Sequence, residues 1–198
     1  MTIEKGAPWG SVGKVPESVS CVDTDREFAS VPDVCVLCGG NLHEALGRPT
    51  PKKPGEDCML LPVDAMRVAI TRRSGVVDEI WAASEVQVGS WFSRRGLSVV
   101  TNTGHLGRLH IAPRAHPNDG VLDTVEIDRR MPMRERLVGR LRARTGTHVP
   151  HPLLRTGRTH SFTITRDGHE RLRIDGIVHG DWTRLTVTVE PDRWLVAV

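Results

Sequence analysis

The chain has 198 residues, of which 38% are hydrophobic, and a formal net charge of +3, which is ordinary for one sizeable globular domain with room for a small appendage. The first residues show no signal-peptide pattern, and no apolar run approaches the roughly 20 residues of a membrane span. We therefore expect a cytoplasmic protein that can touch a membrane only from its surface. The four cysteines are too few and too clustered for a secreted disulfide framework, so reduced thiols are expected.

Basic residues concentrate in one segment of the second half. Residues 129–158 contain nine arginines and a single acid, Glu135. Such a segment can attract phosphates, an anionic membrane or nucleic acid, although arginine at ordinary solvated positions is the simpler alternative. It has no aromatic side chain on which bases could stack, which argues against nucleic acid.

The first predicted elements are a short buried strand at 34–38 and a helix directly after it. Gly39-Gly40 separates them, and Asn41 and Glu44 have the spacing of a capping box with Asn41 as the N-cap. A strand, a glycine turn and a helix make one βα step of a nucleotide-binding type of fold. The Pro- and Gly-containing stretch 50–57 is the predicted linker.

After the linker, the pattern is that of strands. The runs are 63–70, 97–104, 121–127, 161–166, 171–178, 184–190 and 194–198. Asp167-Gly168 predicts a hairpin turn joining 161–166 to 171–178, with Phe162, Ile164, Leu172 and Ile174 on one face.

One good helix interrupts these strands. It starts at Pro132 and runs to about Arg144, and the four-residue spacing of Met133, Leu137 and Leu141 predicts that these side chains form its buried stripe. Strands at turn-punctuated spacing with one helix predict a mostly β (α+β) fold. The predicted architecture is an antiparallel β-sandwich over 58–198, preceded by a small α/β unit over 1–57.

Three motifs in the β region carry a resemblance to a known family. They are APRAHPNDGVLD at 112–123, GTHVPHP at 146–152, and Ile174-Asp175-Gly176 followed by a TxLxVxVxPDxxxVxV pattern. Their order resembles the C-terminal half of the diacylglycerol and sphingosine kinase family, in its bacterial lipid-kinase branch. The resemblance covers roughly residues 60–198. It implies ATP-dependent phosphorylation of a lipid hydroxyl, a C-terminal β-sandwich, and residues 1–57 as a reduced remnant of the nucleotide-binding half.

The resemblance assigns a base to the C-terminal motif. Asp175-Gly176 matches the first two positions of the family's DGE, which makes Asp175 the candidate base toward the lipid hydroxyl. The third position is Ile177, so the neighbouring acid of the family is missing. The alternative is that Asp175 is a turn carboxylate that caps backbone amides beside Gly176.

The resemblance also implies a structural magnesium ion. Asp119 would offer its carboxylate, and His116 and Val121 their main-chain carbonyls, which is a suitable oxygen ligand set. The alternative is that Asn118-Asp119-Gly120 is a turn and nothing more.

The phosphate loop is the weakest part of the resemblance. Gly39, Gly40 and Asn41 stand where the family has the start of GGDGT, a loop whose amides bind the ATP phosphates. Asn41 replaces the carboxylate, and the side chain of Leu42 is expected to crowd the phosphates. We therefore expect weak ATP binding at most by this chain alone.

Three functions stay open from the sequence. The chain is an active lipid kinase, a non-catalytic module that binds a lipid, an anionic membrane or a partner, or a nucleic-acid-binding domain that uses the arginine-rich helix. A second chain, from a homo-oligomer or another protein, can also supply the nucleotide site.

Overall fold

The computed structural model describes residues 9–31, 34–166 and 169–198. The strands in these residues are β1 (Ser11–Lys14), β2 (Ser20–Val22), β3 (Cys35–Leu37), β4 (Asp57–Thr71), β5 (Val77–Ala82), β6 (Glu85–Gly89), β7 (Leu97–Thr101), β8 (His105–Leu106), β9 (Leu109–His110), β10 (Leu122–Ile127), β11 (Leu154–Thr159), β12 (Ser161–Thr165), β13 (Leu172–Ile174), β14 (Ile177–His179) and β15 (Arg184–Ala197). The helices are α1 (Asp25–Ala29), α2 (Gly40–Ala45) and α3 (Met133–Arg142), and a 3₁₀ turn (Ala143–Thr145) continues α3.

Two sheets form the body of the molecule. Sheet A has the order β1-β4-β15-β3-β2, with β5 paired to β4 and β12 paired to β15. Sheet B has the order β11-β10-β7-β6-β13-β14, and its pairs are antiparallel. Pairing in sheet A is antiparallel except where β3 joins β15 and β2. The predicted mostly β, antiparallel sandwich is confirmed.

Apolar side chains fill the space between the sheets and a second space behind sheet B. Val68 and Leu185 of sheet A meet Val100 of sheet B in the first core, and all three are fully buried. Behind sheet B, Trp91 and the other buried side chains of the second core lie under α3 and the β8–β9 hairpin. Since a fully buried aliphatic side chain contributes about 1.5–3 kcal/mol, these two cores supply most of the stability that fixes the sheets.

The N-terminal elements extend sheet A. β3 pairs in parallel with β15 through Cys35 and Val196, and β1 pairs with β4. The predicted linker ends where β4 begins, at Asp57. The predicted strand at 34–38 is β3 and the helix that follows it is α2. This helix has Gly39 as its N-cap with no side-chain cap, so the prediction of Asn41 as the N-cap was wrong.

The predicted hairpin between 161–166 and 171–178 was also wrong. β12 pairs with β15 in sheet A, while β13 pairs with β6 and β14 in sheet B, and the turn from β13 to β14 is Asp175-Gly176. The alternation of apolar and polar residues identified the buried face of each strand correctly, because Ile164 and Leu172 lie in the same core. The two side chains enter this core from opposite sheets, Ile164 from sheet A and Leu172 from sheet B. Asp167-Gly168 lies outside the described residues.

Helix α3 is present, but the prediction for its buried face was wrong. Met133, Leu137 and Leu141 are 53%, 51% and 51% exposed, whereas Arg136 and Gly139 are buried. The guanidinium group of Arg136 donates hydrogen bonds to the backbone carbonyls of the 91–93 and 128–131 segments. These bonds satisfy a buried cation, and they hold the helix with its apolar stripe outward.

Cysteine chemistry differs from the prediction of reduced thiols. Cys21 and Cys38 form a disulfide, which joins β2 to the residue before Gly39, while Cys35 and Cys58 are free and buried. None of the helices in the described part of the chain has the length and apolarity needed to cross a bilayer.

Candidate functional site

A cleft of about 970 Å³ brings the degenerate phosphate loop and the candidate base together. Gly40 and Asn41 line it from the N-terminal unit, and Asp175 and Gly176 line it from the β13–β14 turn. Ser84, in the turn between β5 and β6, connects the two sides. Its hydroxyl accepts a hydrogen bond from Asn41 Nδ2 at 3.1 Å and donates one to Asp175 Oδ1 at 3.2 Å.

The backbone amides of Asn41 and Leu42 already bind a side chain, the carboxyl group of Asp25. Asn41 N donates to Asp25 Oδ2 at 2.8 Å, and Leu42 N donates to Asp25 Oδ1 at 2.9 Å. Burial raises the pKa of Asp25, and these two hydrogen bonds act in the opposite direction. Amides in a strand–glycine loop–helix arrangement are the groups that a phosphate would use, and here Asp25 accepts from both.

Local sequence explains how Asp25 reaches the loop. Thr24 is the N-cap of α1, and its hydroxyl accepts from Glu27 N at 3.2 Å, so Asp25 falls in the first turn of this helix. Gly40 has a φ of +93°, and a Cβ built there would lie 2.6 Å from Asp25 Oδ1. A glycine at position 40 is thus required for close approach to Asp25.

The two substitutions in the loop have different roles from those expected. Leu42 is fully buried in the core with Phe28 and Leu37, so the expectation that its side chain crowds the phosphate position was wrong. Asn41 fixes the loop to the sandwich, because its Oδ1 accepts from Gly107 N at 2.9 Å while its Nδ2 donates to Ser84. The group that accepts from the loop amides is the carboxyl group of Asp25, which is distant in the sequence.

Both oxygens of the Asp175 carboxylate accept hydrogen bonds from the β5–β6 turn. Oδ2 accepts from Ala83 N at 2.7 Å, and Oδ1 accepts from the amides of Ser84 and Glu85 at 3.0 and 3.1 Å. Burial raises the pKa of Asp175 to about 6, although these backbone hydrogen bonds act in the opposite direction. The Asp175 carboxylate thus accepts from backbone amides, as expected if it is a turn carboxylate. The amides belong to the β5–β6 turn, however, and not to the Asp175-Gly176 turn itself.

Glu85 provides the second acid that Ile177 does not. Its Oε1 accepts from Gly176 N at 3.2 Å, and its Oε2 has no hydrogen-bond partner among the described residues although it is buried. Burial and the nearby Asp175 and Asp25 raise the pKa of Glu85 to about 8. Three carboxyl groups therefore share the floor of the cleft, and Glu85 is protonated at neutral pH.

The rim of the cleft has the opposite charge. Arg108, Arg140, Arg144 and Arg173 line it, together with the rings of Trp91 and Phe92 and the side chains of Leu106 and Leu109. An acidic floor that can exchange hydrogen bonds and a basic, partly apolar rim suit a ligand with hydroxyl groups and a negative charge.

The predicted magnesium ligands lie elsewhere, where the 116–121 loop meets β4. Asp119 Oδ1 accepts from Val121 N at 3.2 Å, and its Oδ2 is paired with the guanidinium group of Arg158. The buried Asp64 carboxylate accepts from Gly120 N at 2.7 Å, and burial raises the pKa of Asp64 to about 6. The Asn118-Asp119-Gly120 turn is therefore held by a backbone hydrogen bond to Asp64 of β4, and Asp119 itself pairs with Arg158.

Residues 83–198 match the family model described as the YegS C-terminal NAD kinase beta sandwich-like domain. The chain belongs to this family. The resemblance stated from the three motifs is thereby confirmed for the C-terminal sandwich. No curated protein matches the chain.

Solved structures of similar fold include one from yeast and one from Bacillus anthracis. The structure of yeast NADH kinase complexed with NADH superposes with a TM-score of 0.50 at 12% identity, covering 71% of this chain and 45% of the yeast chain. A putative diacylglycerol kinase from Bacillus anthracis str. Sterne gives a TM-score of 0.45 at 14% identity, covering 87% of this chain and 80% of the other. The chain thus spans less than half of the yeast enzyme, and identities this low show the fold alone.

The magnesium ion implied by the resemblance would be held by the Asp119 carboxylate and by the main-chain carbonyls of His116 and Val121, which are suitable oxygen ligands. Within the described ranges, no group of three or more His, Cys, Asp or Glu side chains is arranged to hold a metal ion. The Asp119 carboxylate pairs with the guanidinium group of Arg158, which a magnesium ion would have to replace. Magnesium at Asp119, His116 and Val121 stays a prediction, as does Asp175 as a base.

The sequence did not single out Asp25, Glu85, Asp64 or Arg158. For Asp25 a signal was present, since Thr24 and Glu27 have capping-box spacing and mark the start of a helix whose first turn holds Asp25. Glu85 and Arg158 lie on strands among other polar residues, whereas Asp64 interrupts the apolar run of β4; only the pairing of the strands brings these residues to their sites.

Proposed function

We propose that this family member does not transfer phosphate from ATP by itself and works as a binding module for the hydroxylated, anionic headgroup of a lipid. The observation that carries the proposal is the pair of hydrogen bonds from Asn41 N and Leu42 N to the Asp25 carboxylate. A phosphate can use these amides only after it displaces a carboxylate that is already well bound. The predicted activity of lipid kinases, phosphorylation of a lipid hydroxyl, is thus not proposed for the isolated chain.

Electrostatics supports the same view of the cleft. A phosphate that entered beside Asp25 would lie near a further ionised carboxylate, that of Asp175. Two like charges 4 Å apart repel by about 4 kcal/mol at an effective dielectric constant of 20.

The headgroup part of the proposal rests on the two halves of the cleft. At the floor, the protonated carboxyl group of Glu85 can donate a hydrogen bond to a hydroxyl oxygen, and at the rim Arg140 and Arg144 can pair with a phosphodiester. Asp175 acts here as a polar contact, since its lone pairs already organise the β5–β6 turn.

Calorimetry on the purified chain tests the nucleotide half of the proposal. We expect no measurable heat of Mg-ATP binding at micromolar concentrations from the wild type. Asp25→Ala should free the two amides and create affinity for ATP or sulfate, whereas Asp23→Ala, a change of the same charge two residues away, should not. A micromolar dissociation constant for the wild type that is lost on substituting Gly40 would overturn the proposal.

The headgroup half needs a lipid that stays monomeric in solution. Dihexanoyl phosphatidylglycerol below its micellar concentration should bind, and dihexanoyl phosphatidylcholine should bind at least tenfold more weakly. Arg140→Gln with Arg144→Gln should remove the preference, while Arg134→Gln with Arg142→Gln, outside the cleft, should preserve it. Equal binding of both lipids would contradict a specific headgroup site.

A further inference from the structure

Helix α3 presents an apolar face to solvent. Met133, Leu137, Val138 and Leu141 are each about half exposed, and so is the neighbouring Phe92. At about 100° per residue, the four helix side chains cover an arc of about 140° on the side of α3 that faces away from the sandwich. We call these five side chains the α3 face.

The helix cannot hide this face by turning about its axis. Its opposite side is fixed by Arg136, whose guanidinium group donates to five backbone carbonyls, and by the indole of Trp91, which donates to Arg136 O. Gly139 packs directly on Trp91 and Met131. A Cβ built at Gly139 would lie 3.7 Å from the side chain of each. The α3 face is therefore a permanent part of the folded surface.

Arginines lie beside the α3 face, and Arg134 lies within its arc at the N-terminal end of the helix. Arg134, Arg140, Arg142 and Arg144 are exposed on the same helix and its continuation, and Arg140 also lies over the ring of Phe92, with its guanidinium carbon 5.8 Å from the ring centroid. Glu135 is the single acid between residues 129 and 158, and its carboxylate lies 3.4 Å from His151 Nε2.

We propose that the α3 face docks on the surface of an anionic lipid bilayer, with its apolar side chains at the acyl boundary and the surrounding arginines at the headgroups. A helix that lies in the plane of a membrane has this combination of one apolar arc and flanking arginines. Anionic lipid supplies the charge complementary to the arginines, at about 1 kcal/mol, or fivefold, for each basic group near the surface.

The same charges disfavour a second copy as the occupant. A twofold contact through the α3 face would place the four exposed arginines of one copy opposite those of the other, with one Glu135 from each side to compensate. A bilayer offers negative charge across the whole contact.

Docking by the α3 face would also set the direction of the cleft. Phe92 of the α3 face and the nearby Arg140 and Arg144 also line the cleft, so the cleft would open toward the headgroups. The inference does not depend on the proposed headgroup site, because the four helix side chains of the α3 face and the nearby Arg134 and Arg142 lie outside the cleft.

Vesicle co-sedimentation with the full chain tests the docking. Vesicles of phosphatidylglycerol and phosphatidylcholine at 30:70 should bind the wild type at 50 mM salt at least a hundredfold better than pure phosphatidylcholine, and 500 mM salt should remove most of this preference. Leu137→Ser with Leu141→Ser should weaken binding to anionic vesicles about 20-fold, since each half-exposed leucine contributes about fivefold. Both positions are exposed, so the variant is expected to fold, and its melting curve checks this.

Matched controls separate the α3 face from general stickiness. Val138→Ser should weaken vesicle binding severalfold, whereas Val178→Ser, at a valine 56% exposed on β14, should not change it. Arg134→Gln with Arg142→Gln should reduce binding to anionic vesicles and leave the weak binding to neutral vesicles unchanged.

Several outcomes would overturn the inference. They are equal binding to anionic and neutral vesicles, equal loss in the two valine variants, displacement of the vesicles by stoichiometric duplex DNA, and a wild-type dimer in light scattering that Leu137→Ser dissociates. Failure of the headgroup site would show instead as loss of dihexanoyl phosphatidylglycerol binding with the vesicle binding intact.

Discussion

Glu85→Gln should change how the stability of the protein depends on pH. The carboxyl group of Glu85 has a pKa of about 8 in the folded protein against an ordinary value of 4.5, because it is buried and lies near Asp175 and Asp25. The folded state therefore keeps a proton that the unfolded state has lost. Stability from this group is complete below about pH 4.5 and decreases as the pH rises toward 8.

The window from pH 6 to 8 lies above the range in which Asp64, Asp123 and Asp175 lose most of their contribution, and Asp25, whose pKa burial also raises, acts in the same direction as Glu85. Asp64, Asp123 and Asp175 have pKa values raised to about 6, so their contributions are mostly lost by then. Burial lowers the pKa of His148, and such a group affects stability only below its ordinary value of 6.5. Between pH 6 and 8 a single group with a folded pKa of 8 loses about 2 kcal/mol, since one pH unit is worth up to about 1.4 kcal/mol.

Thermal unfolding measures this loss. For a chain of this size, about 2 kcal/mol corresponds to a decrease of roughly 5 °C in Tm. The wild type should show this decrease between pH 6 and 8, and Glu85→Gln should remove most of it. Gln keeps an acceptor for Gly176 N–H, so the hairpin contact survives. Glu17→Gln, at an exposed glutamate, should keep the wild-type slope. Parallel pH profiles for the wild type and Glu85→Gln would refute the assignment of a buried, protonated Glu85.

Two further predictions concern the other carboxylates. Because Arg158 pairs with Asp119, a chelator should leave the Tm of the wild type unchanged. Arg158→Ala should lower Tm by several degrees, and added Mg²⁺ should restore part of that loss. A decrease in the Tm of the wild type on adding a chelator would show instead that a metal ion holds the turn. Asn41→Asp, which restores the family's carboxylate, should lower Tm by several degrees and should not create ATP affinity. The reason is that it adds an acid beside Asp25 and removes the donor to Ser84. Asn41→Ser is the control for loss of the amide without added charge, and a gain in ATP affinity by Asn41→Asp would contradict the argument.

The periodicity of apolar residues predicted where the strands lie better than it predicted which strands pair with one another. The alternation in β15 placed Leu185, Val187 and Val189 in the core, and all three are buried. The same reasoning joined β12 to β13, because adjacent alternating runs around Asp-Gly are typical of a hairpin. Alternation reports which side of a strand is apolar, and a sandwich core accepts such a side from either sheet.

The same limit explains the reversal of α3. A stripe such as Met133, Leu137 and Leu141 shows that one side of a helix is apolar, and the usual inference is that this side is buried. Here the choice depends on long-range backbone carbonyls that Arg136 can satisfy and on the small Gly139 and Ala143 packed beneath Trp91. The periodicity of residues 132–144 cannot predict this choice, because those partners are contributed by other parts of the chain.

The binding of the two loop amides by Asp25 depends on a contact between two short N-terminal elements, which the loop sequence alone does not encode. GGNLH departs from GGDGT at the residues after the glycines, and those departures suggested a loop too crowded for phosphate. In the folded chain Leu42 turns into the core, and the two loop amides remain available as donors, but Asp25 accepts from both. With an internal carboxylate on those amides, a second one at position 41 would add repulsion next to Asp175 and Glu85. The neutral Asn41 instead links Ser84 to Gly107. The substitution in the loop and the acid at position 25 are thus two parts of one arrangement, in which Asp25 accepts from the loop amides and Asn41 links the loop to the sandwich.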